Sequence, residues 1–216
     1  MANVTSQVDG VVALDDGSID GSREYLQAHP SVVEVLTVPR DRAAWDEVEN
    51  HRALVMAGVR HRADWLVVVD ADERLEHGFR DRAERVIRRV RRLGLDAFRV
   101  RLRELWDRPD QWRADGIWGR KTRARLFRAL PDHRFDTRPM HAVKAPLQGL
   151  RFRQFPVADV EIYHLGMLTA ADRAARRARY EDADPDAKWQ PGVGYAYLTD
   201  ETGLRLAPVK PDRDYR

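Results

Sequence analysis

The sequence predicts an α/β fold: a mostly parallel central sheet with flanking helices, followed by a mixed C-terminal part. Three observations predict it. β-branched apolar runs alternate with helix-period segments through the front half, the pattern of parallel strands joined by covering helices. The third run, 65–69 (WLVVV), is apolar throughout, as a strand covered on both faces would be. Two of the runs end in acidic clusters, at Asp15-Asp16 and at Asp70-Ala71-Asp72-Glu73, and ligands of open α/β sheets gather at the carboxyl ends of strands.

Taken in order, 8–14 (VDGVVAL) reads as a strand running into the polar turn Asp15-Asp16-Gly17-Ser18. Residues 18–28 begin with Ser and Asp and carry Tyr25 and Leu26 on one face, a helix. The β-branched 32–38 (VVEVLTV) is a second strand, and 46–60 spaces Val48, Leu54, Val55 and Val59 as a helix does. After the 65–69 strand, 79–93 is an amphipathic helix with Phe79, Ala83, Val86, Ile87, Val90 and Leu93 inward. Its outer face holds Arg80, Arg82, Arg85, Arg88, Arg89, Arg91 and Arg92, which reads as a solvated face or as a contact for anionic lipid or a polyanionic carrier. Beyond Gly94 the pattern changes. Strands are expected at 96–105, where Phe98, Val100 and Leu102 alternate, at 123–127 and at 157–163. A Trp-, Asp- and Gly-rich connection fills 106–120, 169–180 is helical, and a Pro/Gly/Asp-rich tail closes the chain.

Composition sets the bounds. With 216 residues, 43% hydrophobic and 34% charged, the chain can bury a core as a single domain, 1–216, and is neither disordered nor fibrous. No cysteine is present, which removes disulfides, thiolate catalysis and Cys-ligated zinc. MANVTSQVDG lacks the charged and apolar regions of a secretory signal, and no run is long enough for a membrane helix; a cytoplasmic protein is expected. The net charge is +3, and all of the 38 basic residues except Lys121, Lys144, Lys188 and Lys210 are arginine. That skew fits GC-rich coding, and no nucleic-acid partner is expected from it. GxxxxGK[ST], GxGxxG and HExxH motifs are absent.

Two carboxylates one residue apart at a strand end can share a hard divalent cation, which takes a few carboxylates plus phosphate oxygens. The same residues also fit a solvated turn with helix-capping carboxylates. LDDGSIDGS at 14–22, followed by ADWLVVVDADE at 63–73 with Glu49-Asn50-His51-Arg52 between them, resembles the GT-A fold family-two glycosyltransferases. The likeness is clear over residues 6–80 and thinner beyond. The resemblance implies a nucleotide-binding half at 1–93 and an acceptor-side half at 94–216. It implies that Asp15 and Asp16, with Asp70, contact the nucleotide, and that Asp70 and Asp72 form the DxD element, Asp72 binding Mn2+ or Mg2+ directly. Glu73 matches the DADE subtype. His164, in EIYHLG, falls where such enzymes place a late third metal ligand, although a hydrogen-bonded, half-buried histidine fits equally.

The implied reaction moves a sugar from a nucleotide-diphosphate donor to a glycan, lipid-linked or protein acceptor, with inversion by analogy. Its base is expected among Asp136 and His141. The relatives often have His-Glu where this chain has His141-Ala142, so a decayed domain that binds nucleotide or a partner without turnover is the alternative. The likeness also begins late: Ser6-Gln7 resembles the end of the family's first helix, which implies a truncated or misplaced start that weakens activity more than fold. Peripheral contact with the inner membrane face through 80–92 completes the expectations. Trp106, Trp112 and Trp118 read as core plugs before acceptor-pocket walls.

Overall fold

The structure, a computed structural model, describes residues 1–38, 46–90, 93–138, 142–149 and 155–216. A turn of helix, α1 (Ala2–Thr5), precedes β1 (Val11–Asp15), α2 (Ser22–Ala28) and β2 (Val32–Thr37). Next come α3 (Glu47–Arg60), β3 (Trp65–Val67), β4 (Glu73–Leu75) and α4 (Phe79–Val90). The back half holds β5 (Ala97–Trp106), β6 (Arg108–Arg113), β7 (Thr122–Arg128), β8 (Val157–His164), α5 (Ala170–Ala183) and β9 (Leu206–Pro208). Among the described residues no helix is long and apolar enough to cross a membrane.

The fold is mixed α/β, and its sheet structure is mixed where a mostly parallel sheet was expected. β1 and β2 are parallel, as a helical crossover requires. The pairs β3–β7, β4–β8, β5–β6 and β6–β9 are all antiparallel. The clearest cause is the link between β5 and β6, where Asp107 alone, with φ 59°, turns the chain back. A link that short returns a strand only antiparallel.

The chain divides into two compact units, each assembled from separate segments. The first contains Met1–Val68, Arg88–Arg99 and Ala124–Pro156. Its core gathers Val55, Ala97, Phe127, Ala145 and Phe155, with Leu66, Val68, Phe135 and Val143 packed against them. Asp46 starts α3 by accepting the Glu49 N–H at 2.9 Å. Gly58 lets that helix lie close on β3, since a Cβ there would come 2.6 Å from Leu66 Cδ2.

The second unit contains Val69–Ile87, Val100–Arg123 and Val157–Arg216. Among the described residues, Trp106, Trp118, Met167, Tyr195 and Leu198 form one apolar cluster in it, and Leu105, Tyr163, Val209 and Tyr215 another. Trp106 and Trp118 are therefore core residues, and Arg103 covers the ring of Trp112 at 3.9 Å. Thr169 and Asp172 form a reciprocal capping box at the start of α5. The polar segment 106–120, expected as a connection, supplies strand β6, and the Pro-rich tail supplies β9 against it.

Candidate functional site

The second unit brings two of the expected site residues together. Strand 65–69 ends early, at Val67, and the Asp-Ala-Asp-Glu segment is a tight turn. The Glu73 N–H donates to the Asp70 carbonyl at 2.9 Å, and the Asp70 N–H donates to Glu73 Oε2 at 2.8 Å. Glu73 is thus a buried brace that holds the turn in shape. It also begins β4, whose antiparallel register sets Glu73 opposite His164 on β8. The Leu165 N–H donates to the Asp72 carbonyl at 2.8 Å and extends the pairing by one residue. This register delivers Asp72 Oδ2 to 2.9 Å from His164 Nε2, though the two lie 92 residues apart in sequence. Asp70, at the outer side of the turn, is exposed.

Behind His164 stands a carboxylate that the sequence reading missed. Glu104 Oε2 accepts the Nδ1 proton of His164, and its other oxygen accepts from the Lys121 ammonium. Glu104 is fully buried. Burial alone would raise its carboxyl, but Lys121 and the His164 imidazole outweigh that and hold it well below the usual range. Burial likewise pulls His164 down, yet the Glu104 charge and the bonds to Asp72 and Glu104 prevail and push it up to about 9. The hydrogen bond from His164 keeps Asp72 below the usual carboxylate range. A legible signal for Glu104 existed: the inward row Phe98, Val100, Leu102 continues two residues on to Glu104.

A third group meets the pair from α5. Arg176 Nη1 lies 3.0 Å from His164 Nε2 and 4.0 Å from Asp72 Oδ2, while its Nη2 donates to the Tyr180 hydroxyl at 3.1 Å. Gly166 closes the site on another side. A Cβ at that position would overlap Asp72 Oδ2 and come 2.9 Å from His164 Nε2, so only a glycine lets the backbone pass this close to both atoms.

The other expected residues have different surroundings. In the first unit, Asp15 is buried, accepts the Ser18 N–H at 3.2 Å and pairs with Arg23 at 2.7 Å, whereas Asp16 is exposed. Asp136 is held by Arg138 through bonds of 2.6 and 2.9 Å and by the Val143 N–H. Burial works against ionisation there, but these donors prevail and pull its carboxyl down to about 2. His141, the other expected base, lies outside the described residues, as do Arg91 and Arg92 of the arginine-rich segment. Among the described residues no group of three or more His, Asp or Glu side chains is arranged as a ready-made metal cage.

No protein-family model matches the chain. It is 29% identical over 223 aligned residues to an uncharacterized protein of Mycobacterium bovis, and equally to one of Mycobacterium tuberculosis. The alignments cover 96% of this chain and 52% of each relative. The chain thus spans about half the length of the curated relatives it matches.

Proposed function

We propose that the protein is a GT-A-type glycosyltransferase that moves a sugar from a nucleotide-diphosphate donor, with help from Mn2+ or Mg2+. The contact between Asp72 and His164 is the observation that carries this reading. A carboxylate from the turn before β4 and a late strand-end imidazole meet with their donor atoms 2.9 Å apart, and Gly166 allows the backbone to pack closely on both. Two protein donors suit a hard or borderline divalent cation that draws its remaining ligands from phosphate and water. Asp72 and His164 would hold such a cation, with Asp70 on the same turn. When bound, it would neutralise the diphosphate leaving group. With Nδ1 held by Glu104, Nε2 is the nitrogen that would bind the cation on losing its proton, the arrangement in which outer carboxylates orient metal-binding histidines.

Asp16, exposed at the end of β1, is the group proposed to meet the nucleoside, with Asp15 holding that turn in shape through Ser18 and Arg23. Asp136 and His141 remain the proposed bases for the acceptor hydroxyl, which belongs to a glycan, a lipid-linked glycan or a protein. The hold of Arg138 on Asp136 favours a second reading, in which the domain binds nucleotide without turnover: a carboxyl drawn down to about 2 is a weak proton acceptor near neutral pH. Residues 80–92 are proposed as a peripheral contact with an anionic membrane surface.

Calorimetry with UDP-, GDP- and dTDP-sugars in the presence of Mn2+ tests the main reading. Binding is expected that Asp72→Ala removes, with little change in melting temperature because Asp72 is half-exposed. Binding unaffected by this substitution, or no binding of any donor, sinks the proposal. Bound donor that is neither transferred over a broad acceptor panel nor hydrolysed selects the second reading.

Gly166→Ala gives an independent check. The added methyl meets the end of the Asp72 carboxylate and also the buried His164 ring, 2.9 Å from Nε2, so folding stability is expected to fall by about 1–3 kcal/mol. The Asp72 oxygen must swing away, and Mn2+ affinity is expected to fall at least tenfold, or about 1.4 kcal/mol. An unchanged affinity in a folded G166A protein would argue against the shared cation position.

A further inference from the structure

His164 Nε2 carries either one hydrogen or one lone pair, yet two groups of opposite kind reach it. Asp72 Oδ2 at 2.9 Å needs a proton there, and Arg176 Nη1 at 3.0 Å needs a lone pair. One of these contacts is unsatisfied in either protonation state. Other arginines of the same unit are neutralised more directly. Arg173 reaches Asp107 at 2.9 Å and Glu201 at 3.0 Å, Arg113 reaches Asp115 at 3.0 Å, and Arg213 reaches Asp159 at 2.9 Å. Among the described residues Arg176 has a ring nitrogen and a phenol oxygen at hydrogen-bond distance, and its carboxylate contact, Asp72, is 4.0 Å away. A divalent cation resolves the conflict, since it takes both the carboxylate and the imidazole lone pair while the Nε2 proton leaves to solvent. The guanidinium then has no place beside Nε2, and its Nη1 donors are released while Nη2 keeps the Tyr180 hydroxyl.

We propose that Arg176 is the resident counter-cation of the Asp72–His164 pair, displaced when a divalent cation enters and then turned to the phosphate groups of the ligand. The proposal rests on the metal-assisted reading above and adds an order to it, cation before phosphate. A planar guanidinium suits the second role because it grips phosphate oxygens through paired N–H groups. One side chain therefore opposes the metal and favours the phosphate, and its removal must move the two affinities in opposite directions. Loss of structural support alone would weaken both.

The test uses the metal-free full chain and two probes, Mn2+ alone and the preformed Mn2+–pyrophosphate complex, each titrated by calorimetry. The neutral variants are Arg176→Gln and Arg176→Met, with Arg176→Lys keeping the charge; thermal melts identify the folded ones. A neutral variant is expected to bind Mn2+ roughly tenfold tighter than wild type, because a like charge a few ångströms from the metal is gone. It is expected to bind the pyrophosphate complex roughly tenfold more weakly, through loss of a charge-assisted hydrogen bond. Arg176→Lys is expected to keep Mn2+ affinity within about threefold of wild type, since its charge remains. Mn2+ binding of equal strength in wild type and a neutral variant overturns the proposal and leaves the metal-assisted reading standing. An equal gain in Arg176→Lys overturns it as well, by showing that bulk and not charge obstructs the metal. Unchanged pyrophosphate binding overturns the hand-over to phosphate. Mn2+ binding by neither wild type nor any variant overturns this proposal and the metal-assisted reading together.

Discussion

Glu104→Leu is expected to destabilise the protein by about 3–5 kcal/mol, the cost of leaving buried charge without its partner. The Glu104 carboxylate is enclosed, and it joins Lys121 on one side to His164 on the other. Leucine fills a similar volume, so a cavity is not the main loss. Lys121 loses its counter-charge, and the Nδ1 proton of His164 loses its acceptor. The loss also depends on pH. His164 stands at about 9 when folded and near 6.5 when unfolded. A pKa raised by folding contributes stability that is complete below pH 6.5 and disappears as the pH rises through 9. The penalty of Glu104→Leu is therefore largest in the acid half of that range. Glu104→Gln keeps one acceptor oxygen and is expected to lose about 1–3 kcal/mol. Urea unfolding, followed through the fluorescence of Trp106 and Trp118 in the same unit, measures both variants. A Glu104→Leu protein within about 1 kcal/mol of wild type would remove the buried network from the account of stability.

Glu104 also marks where sequence reading succeeds and where it stops. The alternation of Phe98, Val100 and Leu102 fixes β5 and its buried face from local pattern alone. The helix periods of α3 and α4 work in the same way, and Phe79 and Ala83 are buried as expected. Leu93 is the exception: it lies past the last turn of α4 and is 57% exposed. Pairing direction is not local. How 157–163 pairs depends on strands far off in sequence, β5 and β4, the second only three residues long with no apolar run to announce it. Strand β6 is equally silent, because RPDQWR carries charges and a proline although it pairs with β5 on one side and β9 on the other.

Asp72 was singled out by an acidic run after an apolar strand, and His164 by the family resemblance alone. Their partners were not. Glu104, Lys121 and Arg176 are ordinary charged residues until the fold removes water from around them. Asp136 shows the reverse case. Its candidacy as a base came from its place in the chain, and its lowered proton affinity comes from Arg138, two residues away, folding back onto it.

The first unit is expected to lose stability below pH 6.5 because of two histidines unrelated to that site. His51 and His133 are each about 93% buried, at 7% exposure. Burial pulls both down to about 4, and for His51 the nearby Lys144 charge adds to the effect. His51 Nε2 donates to the Lys144 carbonyl at 2.7 Å. His133 stacks on Phe135 with ring centroids 4.1 Å apart, and neither of its ring nitrogens has a hydrogen-bond partner among the described residues. An unfolded histidine titrates near 6.5. A pKa depressed by folding leaves the stabilisation intact above 6.5 and removes it as the pH falls through 4. Over that window each histidine accounts for about 3 kcal/mol at most. Glu76, buried beside Arg213 and pushed up to about 7, titrates partly in the same window with the opposite sign. The comparison must therefore be between proteins at matched pH, not along one curve. His133→Phe replaces an unsatisfied imidazole by a ring that suits its neighbours Phe127 and Phe135. Urea unfolding at pH 7 and at pH 5 is expected to show a smaller acid loss in this variant, by about 2 kcal/mol, since roughly two-thirds of the window lies above pH 5. The same loss in both proteins would mean that His133 takes up its proton without opening the core, and the acid sensitivity would have to be sought in His51.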